Sequence, residues 1–217
     1  MADFFELARQ YFPYVLSGAV VTLQLTALAL FGSVVFGLLI AFARLSGLRW
    51  LRFIAATYIE VIRAMPALLQ LFIIYFGLTS FSIRLDPFSA ASLTLGLIGA
   101  AYAAEVFRAG IESVDRGQYE ASRSLGMSAP LAMRRIILPQ AAVLVLPPFT
   151  NFVIAMVKDT SLALTIAVPE IMYRSYDAAS QSFRSMEIYL MAGIIYMAIC
   201  LPLSQLAQAF ERRKAPR

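Results

Sequence analysis

An all-α integral membrane protein with about five transmembrane helices is the architecture this sequence predicts, on three observations. Hydrophobic residues fill 60% of the 217 positions and charged residues only 14%, against roughly 25% charged in an ordinary soluble domain. The mean hydropathy is +0.75, more apolar surface than a soluble fold of this size can hide. The apolar residues also fall in runs long enough to cross a hydrocarbon core, which takes about 20 residues as a helix.

The spans follow in order. Phe12 to Ala43 carries no charge and holds the first, roughly 14–43. The second, roughly 56–81, is the stretch from Ala64 to Ile83 extended back through Tyr58, with Glu60 and Arg63 near its start. The third, roughly 88–110, begins at Pro87 and runs through Ala104. A polar block, Gln118 to Gln140, then interrupts the chain. The fourth span, roughly 137–157, contains Pro139, Pro147 and Pro148 and is expected to bend. Thr160 to Pro169 is apolar but too short to cross, so it reads as a re-entrant or surface-lying segment. The fifth span is roughly 188–210. Together they make one transmembrane domain, 1–217.

Five spans put the termini on opposite sides, and positive residues decide which is which. Arg44, Arg49, Arg52, Arg63, Arg108, Arg116, Arg123, Arg134, Arg135, Arg212, Arg213, Lys214 and Arg217 fall on one side. Arg9, Arg84, Lys158, Arg174 and Arg184 fall on the other. The C-terminus and the polar block are therefore expected in the cytoplasm and the N-terminus outside. The pI of about 9.6 comes from arginines scattered at the ends of apolar runs. That is a membrane-topology pattern, with no nucleic-acid-binding face. The basic end, Glu211 to Arg217, reads as a cytoplasmic stop signal near anionic lipid.

Several chemistries are excluded. The chain has no histidine and one cysteine, Cys200, so internal disulfides, thiolate clusters and histidine metal sites are out and neither metal nor cofactor is expected. An intramembrane enzyme has no nucleophile–base pair to work with. Residues 1–15, with Asp3, Glu6 and Arg9, do not read as a removable signal peptide.

The polar block has its own logic. Arg116 to Leu125 forms a short helix, ended by Gly126 in the left-handed conformation. Ser128 can cap a second helix, which tolerates Pro130 in its first turn, and Pro139 breaks that run as the fourth span begins. The product is a helix–turn–helix elbow over 117–138. Ala121 and Leu125 share one side of it. Such an elbow either rests on lipid headgroups or docks a cytosolic partner.

Resemblance sharpens this choice. Glu120, Ala121 and Ser122, then Gly126, then Ile137, Leu138 and Pro139 resemble the EAA loop of ABC importer permeases. The stretch AYAAEVFRAGIESVDRGQ (101–118) is similar to the lead-in of the polar amino-acid branch, which handles histidine, glutamate, glutamine, arginine or opines. LPQA (138–141), LPPFTN (146–151), KDTSL (158–162) and LSGAVVTL (16–23) also resemble it, in order over nearly the whole chain. One departure stands out. Where the family commonly has Arg-Gly-Thr-Pro, this chain has Arg63, Ala64, Met65 and Pro66.

The resemblance implies a type I ABC importer permease fold in the bacterial inner membrane. It implies a second permease, identical or paralogous, two cytosolic ATPase subunits and an external substrate-binding protein. The chain has no Gly-x-x-x-x-Gly-Lys-Ser/Thr cradle, so ATP binds the partner subunits and this chain is not an enzyme. Glu120, Ala121, Gly126, Leu138 and Pro139 would form the ATPase-coupling site, with Glu120 as a charged contact and Gly126 setting the elbow's angle. The alternative is a membrane-anchoring or channel-like subunit that transports nothing.

Ionisable groups within spans are costly and are usually paired or functional. Glu60 with Arg63, and Glu105 with Arg108, stand three apart and are expected to neutralise each other on one helix face. Lys158, Asp159 and Ser161, with Met65, are candidates for the substrate pathway: an ammonium, a carboxylate and a hydroxyl complement a zwitterionic amino acid. The other reading of Lys158 and Asp159 is an interfacial pair that snorkels to headgroups. Gln70 and Asn151 are expected to bond between helices. The outer loop Glu170 to Glu187, with the turn at Arg84 and Asp86, is a candidate surface for the binding protein.

Overall fold

The structure, a computed structural model, describes residues 2–212, with side chains described over 5–209. The basic tail beyond Arg212 lies outside the described residues. The chain forms α1 (Ala2–Leu45), α2 (Arg49–Ala64), α3 (Ala67–Phe72), α4 (Pro87–Glu112), α5 (Arg116–Ser124), α6 (Ala129–Ala132), α7 (Leu138–Asp159), α8 (Ile171–Ser182) and α9 (Ser185–Arg212). Among the described residues four helical runs are long and apolar enough to cross a membrane: α1, α4, the run Ala129–Ile166 and α9. The pair α2–α3 makes a fifth if its two parts are counted as one broken span.

Small residues decide where the helices meet. Lipid tails give no hydrophobic drive between helices, so close backbone approach has to supply the contact. On α4, Ala90, Ala91, Ala100, Ala101, Ala103 and Ala104 are buried. A Cβ on Gly37 of α1 would sit 2.8 Å from the Ala103 Cβ and 3.2 Å from the Ala100 carbonyl oxygen. Ser33 Oγ donates to the Ala29 carbonyl at 2.7 Å and reaches that of Gly96 on α4 at 3.3 Å. With its 44 residues, α1 is about 66 Å long at 1.5 Å per residue, roughly twice the hydrocarbon thickness.

The second span is not one straight helix. α2 and α3 meet at 105°. Pro66 forces the residue before it out of the helical region, and Met65 is extended at φ −102°, ψ 140°. Carbonyls released by the break need donors, and the buried amide of Gln70 supplies them, giving Nε2 to Ile62 O at 2.8 Å and Met65 O at 3.0 Å. Gln70 thus bonds across the corner. Asn151, its expected counterpart, is exposed on α7 and lines a cleft with Lys158, with no hydrogen bond to another helix among the described residues.

At the far end of α7 the short apolar segment is not on the surface. Thr160–Ile166 forms a 3-10 turn with Thr160, Ala163 and Ile166 buried. Ala163, Ile166 and Val168 join Leu25, Leu71, Leu95, Phe152 and Met156 in the main apolar cluster. The chain then reaches Glu170, which is 0% exposed. Its carboxylate accepts from the Tyr173 and Met172 backbone N–H at 2.6 and 2.9 Å, capping α8, and from the Tyr196 hydroxyl of α9 at 3.1 Å. Burial pushes this carboxyl above its ordinary range, against the pull of those three donors. A Cβ on Gly18 of α1 would lie 2.7 Å from the Glu170 backbone. The Ile171 N–H donates to Thr22 Oγ1 of α1. Sequence alone put Glu170 in a solvated outer loop, and the structure corrects that.

Other polar groups of that loop are tied to neighbouring side chains near the surface. Arg174 Nη1 donates to Ser17 Oγ at 2.6 Å and its guanidinium lies 5.0 Å from the Tyr14 ring centre. Tyr14 donates to Asp177 at 2.6 Å, and Arg184 pairs with Glu187. Three large side chains of the loop are exposed beside Ser180, Gln181 and Ser185: Tyr176, Met186, and Phe183, which ends α8 at φ 55°.

Candidate coupling site and pathway residues

The elbow is built as a capped turn. Asp115 caps α5 by accepting from the Gly117 N–H at 2.7 Å. At the other end Gly126 has φ 72°. Its N–H donates to Arg123 O and that of Met127 to Ser122 O, the paired bonds of a Schellman motif that glycine alone adopts without strain. Ser122 is buried and donates to the Gln118 carbonyl at 2.6 Å. Ser128 starts α6 without a side-chain cap.

Pro139 does not break the run. Between α6 and α7 lies a π-turn, Met133–Ile137, in which the Leu138 N–H reaches back to Met133 O. The wider turn accommodates a residue that lacks an N–H, and Pro139 sits in the first turn of α7, where no donor is needed. The chain is therefore helical without a gap from Ala129 to Asp159, and α7 continues through Pro147 and Pro148.

The two arms of the elbow are tied together and to α4. Gln140 Nε2 donates to Gln118 Oε1 at 3.2 Å and to Ile136 O at 3.0 Å. Tyr119 points back at the Ile111 carbonyl, and burial pushes its hydroxyl pKa up. Leu138 is half-buried in a cluster with Ile111, Val114, Ile137 and Ala141. Of the expected coupling residues, Leu138 thus fastens the elbow from inside. Glu120, Ala121, Gly126 and Pro139 are exposed. Leu125, on the side of α5 shared with Ala121, is 81% exposed. A cleft of about 800 Å³ opens beside them, lined by Glu112, Arg116, Glu120, Arg123 and Met133 among others. Sequence reading missed the Gln118–Gln140 brace, because two glutamines 22 positions apart carry no local signal.

The pathway candidates are spread out. Lys158 and Asp159 are exposed and form no ion pair with each other. Lys158 lines a cleft of about 360 Å³ with Asn151, Tyr196, Cys200 and Ser204. Asp159 and Met65 are not among its walls. Ser161 is half-buried in the following turn. Met65, at the family's threonine position, marks the α2–α3 corner with an extended backbone, and Ala64, at the glycine position, is the last helical residue of α2. Glu60 and Arg63 do not pair, in contrast to expectation. Glu105 and Arg108 do, at 2.6 Å.

Known proteins resemble this chain over nearly its full length. A family model, the binding-protein-dependent transport system inner membrane component, matches residues 33–216. The probable amino-acid ABC transporter permease YckA of Bacillus subtilis is 39% identical over 97% of this chain and 93% of its own. The L-cystine transport system permease TcyB of the same organism is 39% identical over 96% and 90%. The glutamine transport system permease GlnP of Escherichia coli is 38% identical over 93% of each. Among solved structures, an amino acid ABC transporter crystallised with histidines superposes with a TM-score of 0.91 at 39% identity, over 98% of this chain and 99% of that one. The MetNI methionine transporter, at 18% identity and a TM-score of 0.72, shares the fold. The chain belongs to the family of binding-protein-dependent transport system inner membrane components: it is a transmembrane permease subunit of an ATP-driven importer whose ATP hydrolysis is carried by separate subunits.

Proposed function

We propose that this permease moves polar amino acids or close relatives across a bacterial inner membrane. Its cytoplasmic elbow, 117–138, would dock one of two cytosolic ATPase subunits, beside a second permease and below an external binding protein. The amino-acid cargo rests on the relatives named above and on the Lys158 cleft, where an ammonium, an amide and hydroxyls suit a substrate carboxylate. The N-terminus faces outward and the C-terminus the cytoplasm, following the arginine distribution. ATP stays on the partner subunits, and this chain holds no cofactor.

One observation carries the coupling role: the elbow presents Glu120, Ala121 and Leu125 to solvent and runs into α7 without a helical break. A partner that pulls on α5 or α6 therefore acts on a spanning helix. Glu120 lines the cleft together with Arg116 and Arg123, and offers a charge to a partner surface.

The test is a pull-down of tagged chain from solubilised membranes, wild type beside Glu120→Arg and Gly126→Val. Wild type retains an ATPase, and both variants lose most of it at normal expression. Gly126→Val acts by forcing a branched residue to positive φ. An ATPase retained equally by all three removes the elbow from the docking role. Uptake by Lys158→Met and Asp159→Asn tests the pathway, and unchanged transport in both excludes them.

A further inference from the structure

A row of charges runs along α4 between two cavities. Glu105, Arg108 and Glu112 stand at three- and four-residue spacing on one face. Arg108 donates to Glu105 from Nε at 3.2 Å and Nη2 at 2.6 Å, and to Glu112 from Nη1. Arg44, in the last turn of α1, lies 3.8 Å from Glu105, and its Nε is buried with no hydrogen-bond partner. Glu105 lines a cavity of about 460 Å³ with Arg63 of α2 and Pro148 of α7. Glu112, at the other end, lines the elbow cleft with Glu120. Between them Gly110 packs against α7 so closely that a Cβ would fall 2.3 Å from Val145 Cγ2.

The row is poorly explained by stability. Its side chains are 25–52% exposed, and pairs of that kind contribute little. Its partner count is more informative. Glu105 has Arg108 fully bonded, Arg44 at arm's length and Arg63 unpaired on the wall of the same cavity. A carboxylate with more arginines at hand than it can bond can trade one for another at small cost, which is the property of a switch.

We propose that the row Arg44–Glu105–Arg108–Glu112 transmits displacement of the elbow to the inner cavity, and that Arg63 closes onto Glu105 as that cavity shuts. These are positioning residues for transport. The proposal rests on the elbow being the ATPase dock. Elbow movement shifts Glu112, Arg108 follows its two carboxylates, and Glu105 changes arginine partners between α1 and α2.

The experiment uses the assembled importer in liposomes, with binding protein, comparing wild type, Glu105→Gln, Glu112→Gln and Glu112→Asp. Glu112 is half exposed, so its substitution leaves folding intact. Both glutamine variants retain the ATPase, while ATP hydrolysed per substrate moved rises about fivefold, the scale of one ordinary hydrogen bond on a partly exposed helix face. Glu112→Asp restores the wild-type ratio. An unchanged ratio in both glutamine variants overturns the proposal. Loss of the ATPase in Glu112→Gln also overturns it, by making Glu112 a docking residue. If the wild type itself retains no ATPase, the elbow reading has failed and the row falls with it.

Discussion

The two ends of α7 are built on opposite principles. At the Asp159 end, Glu170 is wholly buried, bonded to α8 and α9, and pressed by Gly18 of α1. Four elements meet there, and the Glu170 carboxylate is bonded to two of them. At the Leu138 end, the elbow hangs on one apolar cluster and a glutamine pair, with Leu125 and Glu120 facing solvent. One end locks the helix and the other offers a surface. A helix tied by buried polar bonds at one end and by apolar packing at the other can tilt about the first. The buried junction and the exposed elbow are thereby separated along a single element.

That contrast can be broken most decisively at Glu170. Glu170→Ala orphans two N–H groups and the Tyr196 hydroxyl, and is expected to cost roughly 3–5 kcal/mol, since each unsatisfied buried group costs about 1–3. Thermal denaturation in detergent measures it. A loss under about 1 kcal/mol would mean this end is not the lock. Gly18→Ala is the next largest, roughly 1–3 kcal/mol by overpacking, because the added methyl meets backbone that has no rotamer to yield. Leu125→Ala sharpens the comparison from the other side. Stability is expected to stay within about 0.5 kcal/mol, as for an exposed site, while ATPase retention in the pull-down falls. A melting shift comparable to that of Gly18→Ala would make Leu125 part of the packed body.

Much of this was legible in the sequence, for identifiable reasons. The long apolar runs of α1, α4 and α9 carry their own length signal, and Gly126 followed by Ser128 and Pro130 marks a turn by residue type alone. The second span reads as one continuous run in the sequence, and its 105° corner at Pro66 depends on Gln70 recovering the released carbonyls, a tertiary fact. Pro139 misled in the opposite direction: a proline looks like a stop, and the π-turn before it removes the conflict. Glu170 was the least legible. A lone acid after Val168 and Pro169 looks like solvated loop, and only the approach of α1 and α9 makes it the centre of a packed junction. Glu60 and Arg63 show the limit of spacing arguments, because the right separation on α2 did not produce a pair.

The unbroken helix from Ala129 to Asp159 also has a mechanical gain. At 1.5 Å per residue it is a lever about 46 Å long, so rocking it by about 5° about its anchored end sweeps the elbow tip through about 4 Å, more than a hydrogen bond's length. Read backwards, an ångström-scale push at the tip becomes a rotation of only a degree or so at the pivot. The Lys158 cleft lies beside that pivot, where travel is short and leverage is high. The geometry trades distance for force, suiting a machine that must prise open a close-packed seam over a small stroke.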